Sequence, residues 1–190
     1  TRDMLVDVAR QLFARMGVDN TTMNDIAQAS KKGRRTLYTY FKSKNEIYLA
    51  VVESELDQLY KMLQDVAAKD LPADEKLMTF LYARLDAIQA LVFRNGTLKA
   101  NFFRDIWRVE KIRKNFDIRE TELIQGILEA GVKEGIFAMP DTEITAVVLH
   151  HALKGLEVPY IRGIMGDNIS QRIKRRDNVM NLIFNGIKIK

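Results

Sequence analysis

Six basic side chains, three aromatic rings and no acid fall within the fourteen residues KKGRRTLYTYFKSK, Lys31 to Lys44. A solvated charged face does not need the rings, and a core segment does not tolerate the charge. Arginine forks onto guanine edges, and tyrosine hydroxyls reach phosphate oxygens. The chemistry indicated is binding of a polyanion, not bond-making. No catalytic set accompanies it, since the chain has neither a Gly-x-Ser-x-Gly elbow nor a Gly-x-Gly-x-x-Gly loop. Gly126 and Gly131 precede Val132-Lys133 without the Gly-Lys-Ser/Thr ending of a phosphate loop, and mark close packing near a helix end instead. His150 and His151 are the only histidines. Adjacent helical positions point about 100° apart, so they make no paired metal site. Catalytic residues, metal and cofactor are all expected to be none, and the chain is not expected to be an enzyme.

The placement of charge supports the same chemistry. The 190 residues carry a net charge of +5. Residues 1–48 hold nine Lys/Arg against five Asp/Glu, whereas the remainder holds twenty-one against twenty. That asymmetry fits a polyanion-binding module on a nearly neutral body. A hydrophobic content of 47% is that of a globular protein. There is no cysteine, which excludes disulfides and thiolate metal sites and permits a reducing compartment. No apolar run approaches the roughly eighteen residues of a membrane span, and the charged start is not a signal peptide. A cytoplasmic protein without membrane contact is expected. The chain opens on Thr1 rather than Met, which points to a few residues preceding it.

The elements that must position the basic stretch are helices. Met4, Leu5, Val8, Ala9, Leu12 and Phe13 form a stripe that stops at Gly17. Thr22-Met-Asn-Asp25 matches a capping box and opens a short helix with Ile26 and Ala27. After a break near Ser30 to Gly33 a third short helix carries Leu37 and Phe41, four apart and facing the core. Ser43-Lys-Asn-Glu46 is a second capping box, opening a long helix. Further helices are expected from Pro72 to Asn95-Gly96, from Thr97 to Lys114, from Asp117 to Gly135, from Pro140-Asp141 to about Gly163, and from Asn168 to Lys188. Pro159 should kink or shorten the penultimate one. The fold class is all-α, with a helix-turn-helix domain over 1–48 and a larger helical bundle over 49–190 for effector binding and dimerisation.

Two short helices after a first helix and before a long capped one outline a helix-turn-helix unit, whose second helix enters the DNA major groove. Gly33, Arg34, Arg35 and Thr36 open that helix, and Thr22 and Lys44 lie at the starts of its neighbours, where backbone phosphates are clamped. Tyr38 and Tyr40 can meet sugar and phosphate. A solvated basic turn, a membrane surface or an acidic protein partner would need neither two capping boxes at this spacing nor a break by glycine. The segments ARQLFARMGVDNTTM, Ala9 to Met23, and TTMNDIAQAS…GRRTLYTYFKSKNEIYLAVVE, Thr21 to Glu53, resemble the TetR (tetracycline repressor) family of bacterial transcription regulators. The match is gapless over the first quarter of the chain. It implies a phosphate contact at Thr22, recognition-helix contacts at Gly33, Arg34, Arg35, Thr36, Tyr38 and Tyr40, and a further lysine contact at Lys44. The chain departs from the family in the turn, where Lys31-Lys32 stand for a usual Gly-Val and Gly33 for a usual serine. Which of Lys32, Arg34 and Arg35 reaches bases stays open.

Beyond about residue 50 the resemblance is one of layout and implies a helical domain that dimerises and often binds a small effector. Large soft side chains gather between 80 and 128. Phe103, Trp107, Leu128 and Tyr160 are the effector-site candidates, although each fits plain core as well. Arg84, Arg94, Arg104 and Arg108 in the same helices would suit an anionic group on a largely apolar effector. The last two helices carry surplus apolar stripes, and Val148, His151, Gly155, Ile173, Met180, Ile183, Phe184 and Ile187 are expected at a homodimer interface of four helices. Arg172, Lys174, Arg175 and Arg176 read as a solvated face. The expected function is a dimeric repressor on a near-palindromic duplex operator, released by an unknown small effector. Two alternatives stay open: a helix-turn-helix protein controlled by a protein partner, and an enzyme acting on an apolar molecule. A small molecule that releases DNA would exclude the first; the lack of any nucleophile–base set or metal cluster stands against the second, which measurable turnover would revive.

Overall fold

The computed structural model describes residues 1–94, 106–161, 177–178 and 181–185, with the side chains of residues 92–94, 106–109, 158, 160 and 161 outside that description. Among the described residues seven bounded helices occur in chain order: α1 (Arg2–Met16), α2 (Met23–Ala29), α3 (Arg34–Tyr40), α4 (Lys44–Ala67), α5 (Ala73–Arg94), α6 (Ile106–Lys133) and α7 (Thr142–Ile161). Residues 181–185 are also helical. The all-α class is as expected. Contacts divide the chain into two compact units, Thr1–Gln58 with Ala90–Phe116, and Leu59–Gln89 with Asp117–Lys190.

In the first unit the apolar stripe of α1 meets α2, α3 and the start of α4. Leu5, Ala9 and Phe13 pack in one cluster with Ile26, Leu37, Phe41, Ile47 and Val51, all nearly or fully buried. Phe13 and Tyr48 meet edge to face with ring centroids 6.3 Å apart. Leu37 and Phe41 face the core together, as their spacing requires. Thr21, fully buried, ties its hydroxyl to the Gly17 carbonyl at 2.6 Å and so closes the loop between α1 and α2.

The second unit holds a buried ionic cluster inside its apolar core. Arg84 of α5 is fully buried; its Nε donates to Glu120 of α6 at 2.5 Å, and its Nη2 donates to Glu157 of α7 at 2.7 Å. Glu120 also meets His150 Nδ1 at 2.7 Å. His150 Nε2 lies 3.7 Å from Asp117, an ion-pair distance rather than a hydrogen bond, and Asp117 in turn accepts from Lys154 at 2.9 Å. Burial disfavours the charged form of Arg84, but Glu120 and Glu157 outweigh it and raise the pKa. Burial likewise opposes charge on His150, and Asp117 and Glu120 overcome it, lifting the ring to about 9. The imidazole is therefore a cation at neutral pH. The stability it confers is complete below its unfolded value and is lost as pH rises through about 9.

One helix boundary differs from the sequence reading. A break between Lys114 and Asp117 was expected, and α6 instead runs unbroken through it. Asn115-Phe116-Asp117 contains no glycine or proline, and Phe116 is buried, so packing holds the helix across weak turn formers. Pro159 lies inside α7, which is described to Ile161, in line with the expected end near Gly163. The start of α7 holds, since the Ile144 amide donates to Asp141 at 2.9 Å where Pro140-Asp141 indicated, while the helix ends expected at Thr97, Asn168 and Lys188 lie outside the described residues. Gly131 is a close-packing glycine as read, with the Phe137 ring lying where its Cβ would be; Gly126 has open space there.

Candidate nucleic-acid interface

The helix-turn-helix is built by local rules. Thr22 and Asp25 form a full capping box, with the Asp25 amide donating to the Thr22 hydroxyl at 3.1 Å and the Thr22 amide to the Asp25 carboxylate at 2.8 Å. The Thr22 hydroxyl also donates to that carboxylate at 2.7 Å. The side-chain hydrogen bond from Thr22, then the backbone one, hold the Asp25 carboxyl below its usual range. Thr22 is exposed, and its hydroxyl already donates and accepts within the cap. Gly33 caps α3 with extended backbone. The second capping box is offset, because the Glu46 amide donates to the Ser43 hydroxyl at 3.2 Å while its carboxylate reaches back to the Lys42 amide at 2.7 Å.

Leu37 anchors α3, and the rest of the helix faces outward. Lys32, Gly33, Arg34, Arg35, Tyr38 and Tyr40 are exposed, and Thr36 is half-buried. Tyr38 and Tyr40 each keep 44% of their surface in solvent, unusual for large aromatics and suited to lying against a sugar-phosphate backbone. No acid lies between Asp25 and Glu46. Among the described residues, no carboxylate forms an ion pair with Lys31, Lys32, Arg34, Arg35 or Lys42. The lysine candidate at the start of α4 is placed differently from the others. Lys44 is half-buried, and its Nζ donates to the carbonyls of Val18 at 2.7 Å and Asp19 at 3.1 Å, tying α4 to the loop after α1. Lys44 was expected as a phosphate contact; its tie across 26 residues was not legible.

The body candidates fare unevenly. Leu128 is fully buried. Trp107 and Tyr160 lie on α6 and α7 with side chains outside the described atoms, and Phe103, Ile173, Met180 and Ile187 lie outside the described residues. Arg84, read as a partner for an anionic effector, already pairs with Glu120 and Glu157 and lends no support to an anionic ligand. A shallow hollow of about 170 Å³, lined by Ala67, Lys76, Leu123, Gly126 and Ile127 among others, contains none of the effector candidates. Val148 and His151 are exposed on α7, Ile183 is half-buried, and Phe184 is buried with its ring 6.5 Å from Phe137 of the same chain. Gly155 is exposed and has open space at its missing Cβ. His151 turns its Nδ1 to the Val147 carbonyl at 2.9 Å. No group of metal-ligating side chains occurs among the described residues. No helix among them is long and apolar enough to cross a membrane.

Comparison with known proteins agrees with this surface. Residues 5–51 match the family model for bacterial regulatory proteins of the tetR family. The transcriptional repressor KstR2 of Rhodococcus jostii is 32% identical over 139 residues, 72% of this chain and 67% of that protein. A transcriptional regulator from Cytophaga hutchinsonii superposes with a TM-score of 0.79 at 22% identity over 98% of both chains. A Saccharomonospora viridis protein solved in complex with choline superposes with a TM-score of 0.75 at 19% identity, over 100% of this chain and 98% of that one. The head, its exposed basic recognition helix and these relationships together place the chain in the TetR family of bacterial regulatory proteins, as a DNA-binding transcriptional regulator.

Proposed function

We propose that the protein is a dimeric repressor that leaves its operator when a small, largely apolar effector enters the helical body. The observation that carries the reading is the helix-turn-helix surface itself: exposed Lys32, Arg34 and Arg35 beside exposed Tyr38 and Tyr40, with no acid in the stretch. Two such helices in a two-fold dimer read half-sites one helical turn apart, about 34–36 Å, or a multiple of it. Support for dimerisation is an apolar row on α7 facing water: Ile144 is 63%, Val147 42% and Val148 60% exposed. Their spacing of three and four puts them on one face with His151 and Gly155. Support for an effector comes from relatives, one of them solved with choline. The effector must bind the DNA-incompetent state more tightly than the competent one, since equal affinity shifts nothing.

Base reading is tested by Arg35→Ala on a duplex selected from a random pool. Specific binding should weaken by about 1–3 kcal/mol, with relaxed preference at one base position. An equal loss on every sequence would make Arg35 a phosphate contact only. Assembly is tested by Val148→Glu, which places a charge in the apolar row. Sedimentation should show monomers with poor operator affinity, and a variant that remains dimeric would move the interface off this face of α7.

A further inference from the structure

The end of α2 contains a residue that folding alone would not choose. The Lys31 amide bonds the Gln28 carbonyl at 3.0 Å and the Lys32 amide bonds the Ala27 carbonyl at 3.1 Å. This crossed pair closes a helix only when the residue after the cap is left-handed, and Lys31 sits at φ 53. The chain uses the same device at the end of α6, where the Gly135 amide bonds Val132 at 3.1 Å and the Ile136 amide bonds Gly131 at 2.9 Å. There the left-handed position, φ 73, is filled by glycine, which has no Cβ to strain. Lys31 is the one non-glycine residue with positive φ among the described residues. The next position in this motif usually packs an apolar side chain back on its helix, and here it is Lys32, exposed. Two successive positions thus carry lysine where the motif favours glycine and an apolar residue. A residue kept in a strained conformation is most readily explained by what its side chain does.

The side chain points to a duplex backbone. Lys31 is exposed and stands three residues before Arg34, at most about 11 Å along the chain. The major groove is about 12 Å wide, so with Arg34 and Arg35 at base edges the phosphate lip lies within reach of Lys31. Lysine suits that place as a compact point charge on a flexible stem. We propose that Lys31 is a phosphate contact particular to this chain, held in a left-handed turn at the expense of folding stability so that its ammonium meets the DNA backbone beside the recognition helix. The proposal rests on the DNA-binding reading above.

Lys31→Gly separates the two roles, because it removes the charge and the strain together. Its urea midpoint should rise, while its affinity should fall on both a selected duplex and an unrelated duplex of equal length. The slope of log K against log salt should flatten by about one unit, so that between about 50 and 200 mM salt the variant loses roughly threefold less affinity than the unaltered chain. Lys31→Arg should keep the original slope. Lys31→Gln, which keeps the left-handed strain and drops the charge, should show the flattened slope without the gain in midpoint. An unaltered chain that binds duplex, with Lys31→Gly and Lys31→Gln of unchanged affinity and slope, would overturn this proposal alone. An unaltered chain that binds no duplex would overturn the parent reading and this one with it.

Discussion

Arg84→Met is expected to destabilise the body by about 3–5 kcal/mol, the loss typical of removing one partner from a buried ion pair. Methionine fills much of the same volume, so the effect reads the charge rather than a cavity. Glu120 and Glu157 would both remain in the core without the guanidinium that now donates to each. Glu120 would keep His150, and Glu157 would lose the Arg84 guanidinium. Arg84→Lys should recover only part of the loss, because an ammonium lacks the planar fork that serves two carboxylates at once. Urea unfolding with an unchanged slope against denaturant is the measurement. A loss below about 1 kcal/mol would mean that the two carboxylates are satisfied without the arginine.

Gly131→Ala and Gly126→Ala lie on the same helix and should have opposite signs. Helix propensity alone favours alanine over glycine by about 0.5–1 kcal/mol at either position. At Gly126 an added Cβ meets nothing, so that gain should appear. At Gly131 the Cβ would overlap the Phe137 ring, which is itself buried and set against Phe184. Overpacking of this kind costs about 1–3 kcal/mol and should outweigh the propensity gain. Gly131→Ala with Phe137→Leu should recover part of the loss. If both alanine variants are stabilised, the Phe137 contact is loose and the packing account fails.

The head was legible because its rules are local. Thr22 with Asp25, Leu37 with Phe41, and Gly33 before Arg34 each act within five residues, and each is found as read. The body was legible in class and poorly in detail. Its ionic cluster left a trace in the sequence: Arg84 follows Phe80 by four residues, Glu120 lies four from both Phe116 and Ile124, and Glu157 follows Leu153 by four. Each charge thus sits in a buried stripe, where only a partner can satisfy it. Periodicity shows that such partners must exist and cannot say which helix supplies them. The unbroken α6 was missed for a related reason, since Asn115 and Asp117 are local turn formers overridden by the burial of Phe116. Lys44 was read from a local pattern, and its link to Val18 depends on the fold.

Pro159 leaves one further trace in α7. A proline has no amide hydrogen to return to the carbonyl four residues earlier, and that residue is Gly155. The turn they span holds Glu157, one of the two carboxylates on Arg84. In the terms of native-state amide exchange, this turn is the part of the helix that opens with the fewest backbone bonds to break. The Arg84–Glu157 pair is one contact that holds it shut. The same ion pair is then both a core contact and a latch on the proline-interrupted turn of α7, and drawing Glu157 away from Arg84 is expected to loosen that end of the helix before it disturbs Ala146 or Leu149.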